Sequence, residues 1–198
     1  IPLRLVGSEM CIRDSSLGYP KPDELPVTLA DIMQNVIDDK PIPNGCGILH
    51  HGEGVDLLPA NIGLSGMEIR LINAMSRESV LRTYINSVKP HYDYILIDCP
   101  PSLGIVTTNA FIAADEIIVP MTPELLPLKG MRMLDAFVTT LQRVKPSLRL
   151  GGVFIARFNH RKLNKVVEQA VKERYESITM NTRIRENIAL AESAGSGK

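Results

Sequence analysis

The 198-residue sequence predicts an α/β fold, a mainly parallel sheet with helices on both faces. Three observations carry that prediction. Short apolar runs bounded by turn residues occur at 94–97, 116–120 and 152–156, and such runs read as strands buried on both faces. Stretches with apolar residues near helical spacing alternate with them. Hydrophobic residues make up 44% of the chain. No apolar run reaches membrane-span length, so a soluble globular protein with a proper core is expected.

Taken in order, the first residues fit least. The stretch 6–15, Val-Gly-Ser-Glu-Met-Cys-Ile-Arg-Asp-Ser, has neither helical nor strand period. It looks like a translated adapter or assembly scar, so 1–15 is set aside as a non-native leader. Residues 16–198 are read as one partial domain. Leu17 to Pro22 is turn-rich. Thr28 caps a short helix, with Asp31 three residues on as its acidic partner. Pro41 to Gly47 is a loop, and Val55 to Leu58 is a short strand ended by Pro59. From Glu68 to Val88, apolar residues at Ile69, Ile72, Met75, Leu81 and Ile85 predict one helical stretch.

The strand Tyr94–Ile97 follows, and Ser102 caps a helix that runs through Ala114. A strand at 116–120 precedes a helix at 128–144, with Gly130 a weak point near its start. A strand at 152–156 leads to a helix at 161–175 with a basic first turn. A last strand at 178–184 and a short helix at 185–194 complete the expected order.

Formal net charge is zero but unevenly spread. Residues 1–128 carry 8 Lys/Arg and 16 Asp/Glu, whereas 129–185 carry 13 and 4, an excess of nine positive charges (13 − 4). The asymmetry points to an anionic partner for the later part. Cys11, Cys46 and Cys99 have no paired spacing, which argues against a disulfide framework or zinc site and fits a reducing compartment. His50, His51, His91 and His160 read as surface or strand-edge residues.

The most informative stretch is Asp93-Tyr-Ile-Leu-Ile-Asp98, followed at once by Cys99-Pro-Pro-Ser-Leu-Gly104. An aspartate at the exit of a buried parallel strand stands where open sheets bind their ligands, outside the carboxyl ends. Pro100 and Pro101 end the strand and stiffen the turn. This matches a Walker B aspartate feeding a switch loop in a P-loop nucleotide hydrolase. A Gly-x-x-x-x-Gly-Lys-Ser/Thr phosphate loop is not found in the sequence. The tail 194–198 imitates the end of one, but Glu192 occupies the first glycine's place.

Together these stretches resemble the ParA-type partition ATPases, relatives of MinD. The resemblance rests on Val55-Asp-Leu-Leu-Pro-Ala-Asn61 and on Tyr92 through Gly104. It extends through Asn109-Ala110, Ile118-Val-Pro120, Gly152-Val153, Arg157-Phe158-Asn159, Ile184-Arg185 and Ala191-Glu192. It implies a P-loop NTPase-like fold, here truncated at both ends, with ATP and Mg²⁺ as cofactors. It also implies an ATP-dependent homodimer, non-specific DNA and a ParB-type protein as partners, and a cytoplasmic, nucleoid-associated location. By the same resemblance Asp98 holds Mg²⁺ through water, Pro100, Pro101 and Gly104 sense the γ-phosphate, and Arg157, Phe158 and Asn159 lie near the adenine. Arg161, Lys162 and Lys165 fall within one helical turn and, with Arg183 and Arg185, are the DNA-binding candidates. No catalytic residue is assigned, and the chain alone is expected to be inactive as an ATPase. A MinD-like division-site regulator and a non-catalytic binding module of the same fold are the alternative readings.

Overall fold

A computed structural model describes residues 3–6, 22–52, 54–159 and 161–187. The chain divides into two compact units after Ala113, and the strands pair as two sheets rather than one.

The first unit holds strands β1 (Leu3–Val6), β2 (Leu49–His51), β3 (Val55–Leu58) and β4 (Tyr94–Ile97), in the order β2-β3-β1-β4. β1 runs parallel to both β3 and β4, and β2 is antiparallel to β3. Setting 1–15 aside from the fold is therefore corrected for residues 3–6. Leu-Arg-Leu-Val pairs on both sides and is a central strand, because four extended residues suffice when two neighbours supply the ladder.

The helices of this unit are α1 (Leu29–Ile37), α2 (Gly63–Ile72), α3 (Val80–Val88) and α4 (Ile105–Ala113). Thr28 caps α1 as predicted. The Asp31 carboxylate accepts both its backbone N–H (2.9 Å) and its hydroxyl (2.8 Å). The helix closes at Asp39, whose φ of 53 places it in the left-handed region. There Lys40 N–H reaches the Asn35 carbonyl at 2.8 Å, satisfying an orphan acceptor of the last turn. The single helix expected over 68–88 is two, separated by a turn in which Ser76 has φ 49. Its phase also differs. Leu64, Met67 and Leu71 are buried, while Ile69 and Ile72 are exposed.

Asn109 of α4 is fully buried and serves three backbone groups. Its Nδ2 donates to the Arg77 carbonyl (2.7 Å) and the Ile105 carbonyl (3.0 Å), and its Oδ1 accepts from Leu81 N–H (3.1 Å). The last of these is an orphan donor in the first turn of α3. Burial of β4 on both faces is not met: Tyr94 is 63% and Leu96 47% exposed. Strand side chains alternate, and only the Ile95–Ile97 face is partly covered.

The second unit is a parallel sheet ordered β5-β6-β7, from β5 (Glu116–Met121), β6 (Arg149–Phe158) and β7 (Thr179–Arg185). Pro120 lies inside β5, which is tolerable because β5 is an edge of this sheet. Helices α5 (Leu125–Leu141) and α6 (Lys162–Tyr175) connect the strands. Val153, Ile155, Phe158, Val167, Val171 and Tyr175 are among the residues that form the core of this unit. The expected turn at 17–21 and the helix beyond Asn187 lie outside the described residues.

Replacing Asn109 with Ala leaves a buried N–H and a carbonyl without their partners. We expect a loss of about 2–4 kcal/mol in urea unfolding, with the far-ultraviolet spectrum of the folded state retained.

Candidate functional site

In the first unit β3, β1 and β4 are parallel, so Leu58, Val6 and Ile97 pair across the sheet and their exits share one rim. Asp98 is the first residue past β4 and is half-buried at that carboxyl rim. Pro100 is half-buried and Pro101 exposed. Gly104 ends the turn, and its backbone is not left-handed. The Glu68 Oε1 atom, at the end of an exposed and flexible side chain, lies 2.8 Å from where a Gly104 Cβ would stand. Ser102 does not cap α4 with its hydroxyl as expected, since the helix begins only at Ile105. Its carbonyl instead accepts the Thr107 hydroxyl at 2.6 Å.

The neighbouring exit, 59–61, is tied down as tightly. The Pro59 carbonyl accepts from Leu29 N–H at 2.8 Å. Asn61 Oδ1 accepts from Gly63 N–H (3.1 Å) and lies 3.3 Å from the buried Thr28 hydroxyl oxygen, whose hydrogen goes to Asp31. The rim that carries Asp98 is thus built on fixed loops. Among the described residues no group of three or more His, Cys, Asp or Glu could hold a metal ion. A single carboxylate still suits magnesium, which keeps most of its waters and takes few protein ligands.

In the second unit, Arg157, Phe158 and Asn159 stand at the exit of β6. Arg157 has φ 54, a left-handed conformation in a non-glycine residue. Phe158 is buried in the core, whereas Arg157 is exposed. Glu186, just past β7, clasps the segment. Its N–H donates to the Phe158 carbonyl (3.1 Å), and its carboxylate accepts from Arg157 Nη2 and Asn159 Nδ2, each at 3.3 Å. The bond from Asn159 first, then Arg157, holds the Glu186 carboxyl below its ordinary value. Asn164 in α6 adds a 3.1 Å bond to the Asn159 carbonyl.

The basic candidates separate into two groups. Arg161 sits at the N-cap of α6 with an extended backbone (ψ 147), so it is not in helical register with Lys165 as the sequence suggested. Arg161, Lys162 and Lys165 are exposed, as is Arg185 on β7. Arg183 is committed to neighbours. It pairs with Glu168 at 2.5 Å and lies over the Phe158 ring, 5.0 Å from its centroid. Phe158, Lys165 and Arg183 therefore line one cleft, together with Glu168, Gln169 and Lys172. Sequence reasoning missed Glu68, Glu168 and Glu186. Only Glu168 left a local signal, its i,i+4 spacing to Lys172.

A parallel sheet with a carboxylate at its carboxyl rim, feeding a proline turn and a helix, is the fold of the ParA- and MinD-like P-loop ATPases. The AAA domain family AAA_31 matches residues 15–150, and the chain belongs to that family, among the ParA-type partition ATPases. The sporulation initiation inhibitor protein Soj of Bacillus subtilis is 37% identical over 148 residues, covering 74% of this chain and 58% of that protein. The chromosome partitioning protein ParA of Myxococcus xanthus is 33% identical over 189 residues, covering 93% and 64%. Among solved structures, cobyrinic acid a,c-diamide synthase from Mycobacterium smegmatis, with bound ATP analog and magnesium, superposes with a TM-score of 0.82 at 30% identity. That match covers 98% of this chain and 77% of the other. The chain spans 58% and 64% of the length of these two curated relatives.

Because the Glu186 carboxyl is depressed, its clasp contributes above the ordinary carboxyl range and is lost as pH falls through the lowered value. In an NMR titration, Asn159→Ala should move the Glu186 midpoint up towards its ordinary value. An unmoved midpoint would show that the clasp does not set it.

Proposed function

We propose that the chain is part of an ATP-dependent DNA partition ATPase. Family membership supports this, and so does the placement of Asp98. A half-buried carboxylate stands at the carboxyl rim of a parallel sheet and opens the 99–104 turn. In this reading Asp98 would hold a nucleotide-bound Mg²⁺ through water, and the ion would supply charge neutralisation at the phosphates. The proline-stiffened turn transmits the nucleotide state to α4 through the Thr107 and Thr108 hydroxyls, which hold the Ser102 and Gly104 carbonyls. Arg157 and Asn159, tied to Glu186, are the adenine-side candidates, and Phe158 is the core residue that anchors them. Arg161, Lys162, Lys165, Arg183 and Arg185 supply positive charge for DNA phosphates, which need charge and reach rather than base readout. A nucleotide-dependent homodimer, a ParB-type stimulating partner and a nucleoid-associated place in the cytoplasm complete the reading.

Phosphoryl transfer depends on positioning and charge at the phosphates. These 198 residues carry Asp98 without a glycine-lysine cradle. The purified chain is therefore expected to bind ATP weakly and to release no phosphate above background. With a Lys-Gly-Gly-x-Gly-Lys-Thr loop upstream in the same polypeptide, magnesium-dependent turnover should appear. Asp98→Ala should then lower it about 10–100-fold, the usual effect of losing a residue that orients a metal's waters. Turnover indifferent to Asp98 would refute this assignment. Charge reversal at Lys162 and Arg185 should weaken duplex DNA binding and flatten its salt dependence. Binding to anionic vesicles in place of DNA would favour the MinD-like reading instead.

A further inference from the structure

The second unit contains a cleft of about 430 Å³ lined by Phe158, Lys165, Glu168, Gln169, Lys172 and Arg183. Three cations against one carboxylate leave it with a net charge of +2 (3 − 1). The carboxylate is the unusual member. Glu168 is only 7% exposed, and a charge so buried persists only with partners. It has two on the same oxygen: Lys172 Nζ at 3.1 Å, one helical turn along α6, and Arg183 Nη2 at 2.5 Å, from β7. The Arg183 guanidinium is held from a second direction by the face of Phe158. It is thus fixed in place while remaining partly exposed, its side chain 42% accessible. Lys165 lines the same cleft and is exposed.

We propose that this cleft takes a nucleic-acid phosphate, and that Glu168 is a built-in competitor occupying the anion position on Arg183 and Lys172. This rests on the DNA-binding reading above and adds its regulation. A guanidinium fork offers the same donors to a carboxylate as to a phosphate. With Glu168 in place, its single negative charge is shared between Arg183 and Lys172, and an incoming phosphate meets a like charge. Displacing Glu168 restores both cations, with Lys165 as the third contact. The internal carboxylate holds DNA affinity below what the basic residues would otherwise give.

The test is duplex DNA binding by the 198-residue chain across a salt series. Glu168→Gln keeps the side chain's shape and removes its charge. It should bind DNA about tenfold tighter, with a salt slope steeper by about one to two contacts. Adding Arg183→Gln to that variant should erase the gain, since non-additivity reports the shared contact. Should Glu168→Gln lower the melting temperature too far to assay, Lys165→Glu serves on its own. It is exposed and outside the ion pair, and should weaken binding several-fold and flatten the slope by about one. Unchanged affinity and slope in Glu168→Gln, or in Lys165→Glu where that is the variant read, would overturn the proposal while leaving DNA binding through the other basic residues intact. Loss of DNA binding in the unmodified chain would instead remove the underlying reading. Inorganic phosphate is the second arm. If it gained affinity in Glu168→Gln and lost it in Arg183→Gln while DNA affinity did not move, the ligand would be a small free phosphate and the nucleic-acid source would be wrong.

Discussion

Parallel pairing is the constraint on which the rest hangs. Strands that run the same way must be joined by crossovers, and every strand then ends at the same rim. In the first unit that places the exits of β3, β1 and β4 side by side and puts Asp98 among them. In the second it places the ends of β5, β6 and β7 together, which is how Glu186, 27 residues after Asn159, meets it. Polar chemistry gathers at these rims, where the backbone ladders end and turns begin.

Buried polar groups then fix the loops that the pairing leaves over. Thr28, Asn109 and Glu168 are all buried, and each joins elements that are distant in sequence. Thr28 sets the start of α1 beside Asn61. Asn109 closes the start of α3 against α4. Glu168 fastens β7 to α6. A buried polar group costs free energy unless every partner is in place, so these three act as registration points as much as sources of stability.

The fold was largely legible, because apolar runs and helical spacing depend on neighbours in sequence. β3, β4 and β6 and the Thr28 cap were readable for that reason, and Asp98 was readable because a strand exit is a local pattern. What escaped was non-local. Leu3–Val6 is a strand only because β3 and β4 flank it. The 68–88 run looked continuous because the break at Ser76 has no glycine or proline to announce it. Within the candidate site, the room beside Gly104 depends on Glu68, and the role of Arg183 on Glu168 and Phe158. A charge count had marked Arg183 as an available cation. It could not show that the cation is already engaged.

Arg157 carries a consequence of its own. A side chain in the left-handed region costs about 1–2 kcal/mol that glycine would not. Glycine there would ease the backbone, yet it would also remove the guanidinium that reaches Glu186. Relief of the backbone and retention of the contact that stiffens the rim therefore make opposite demands on this one position.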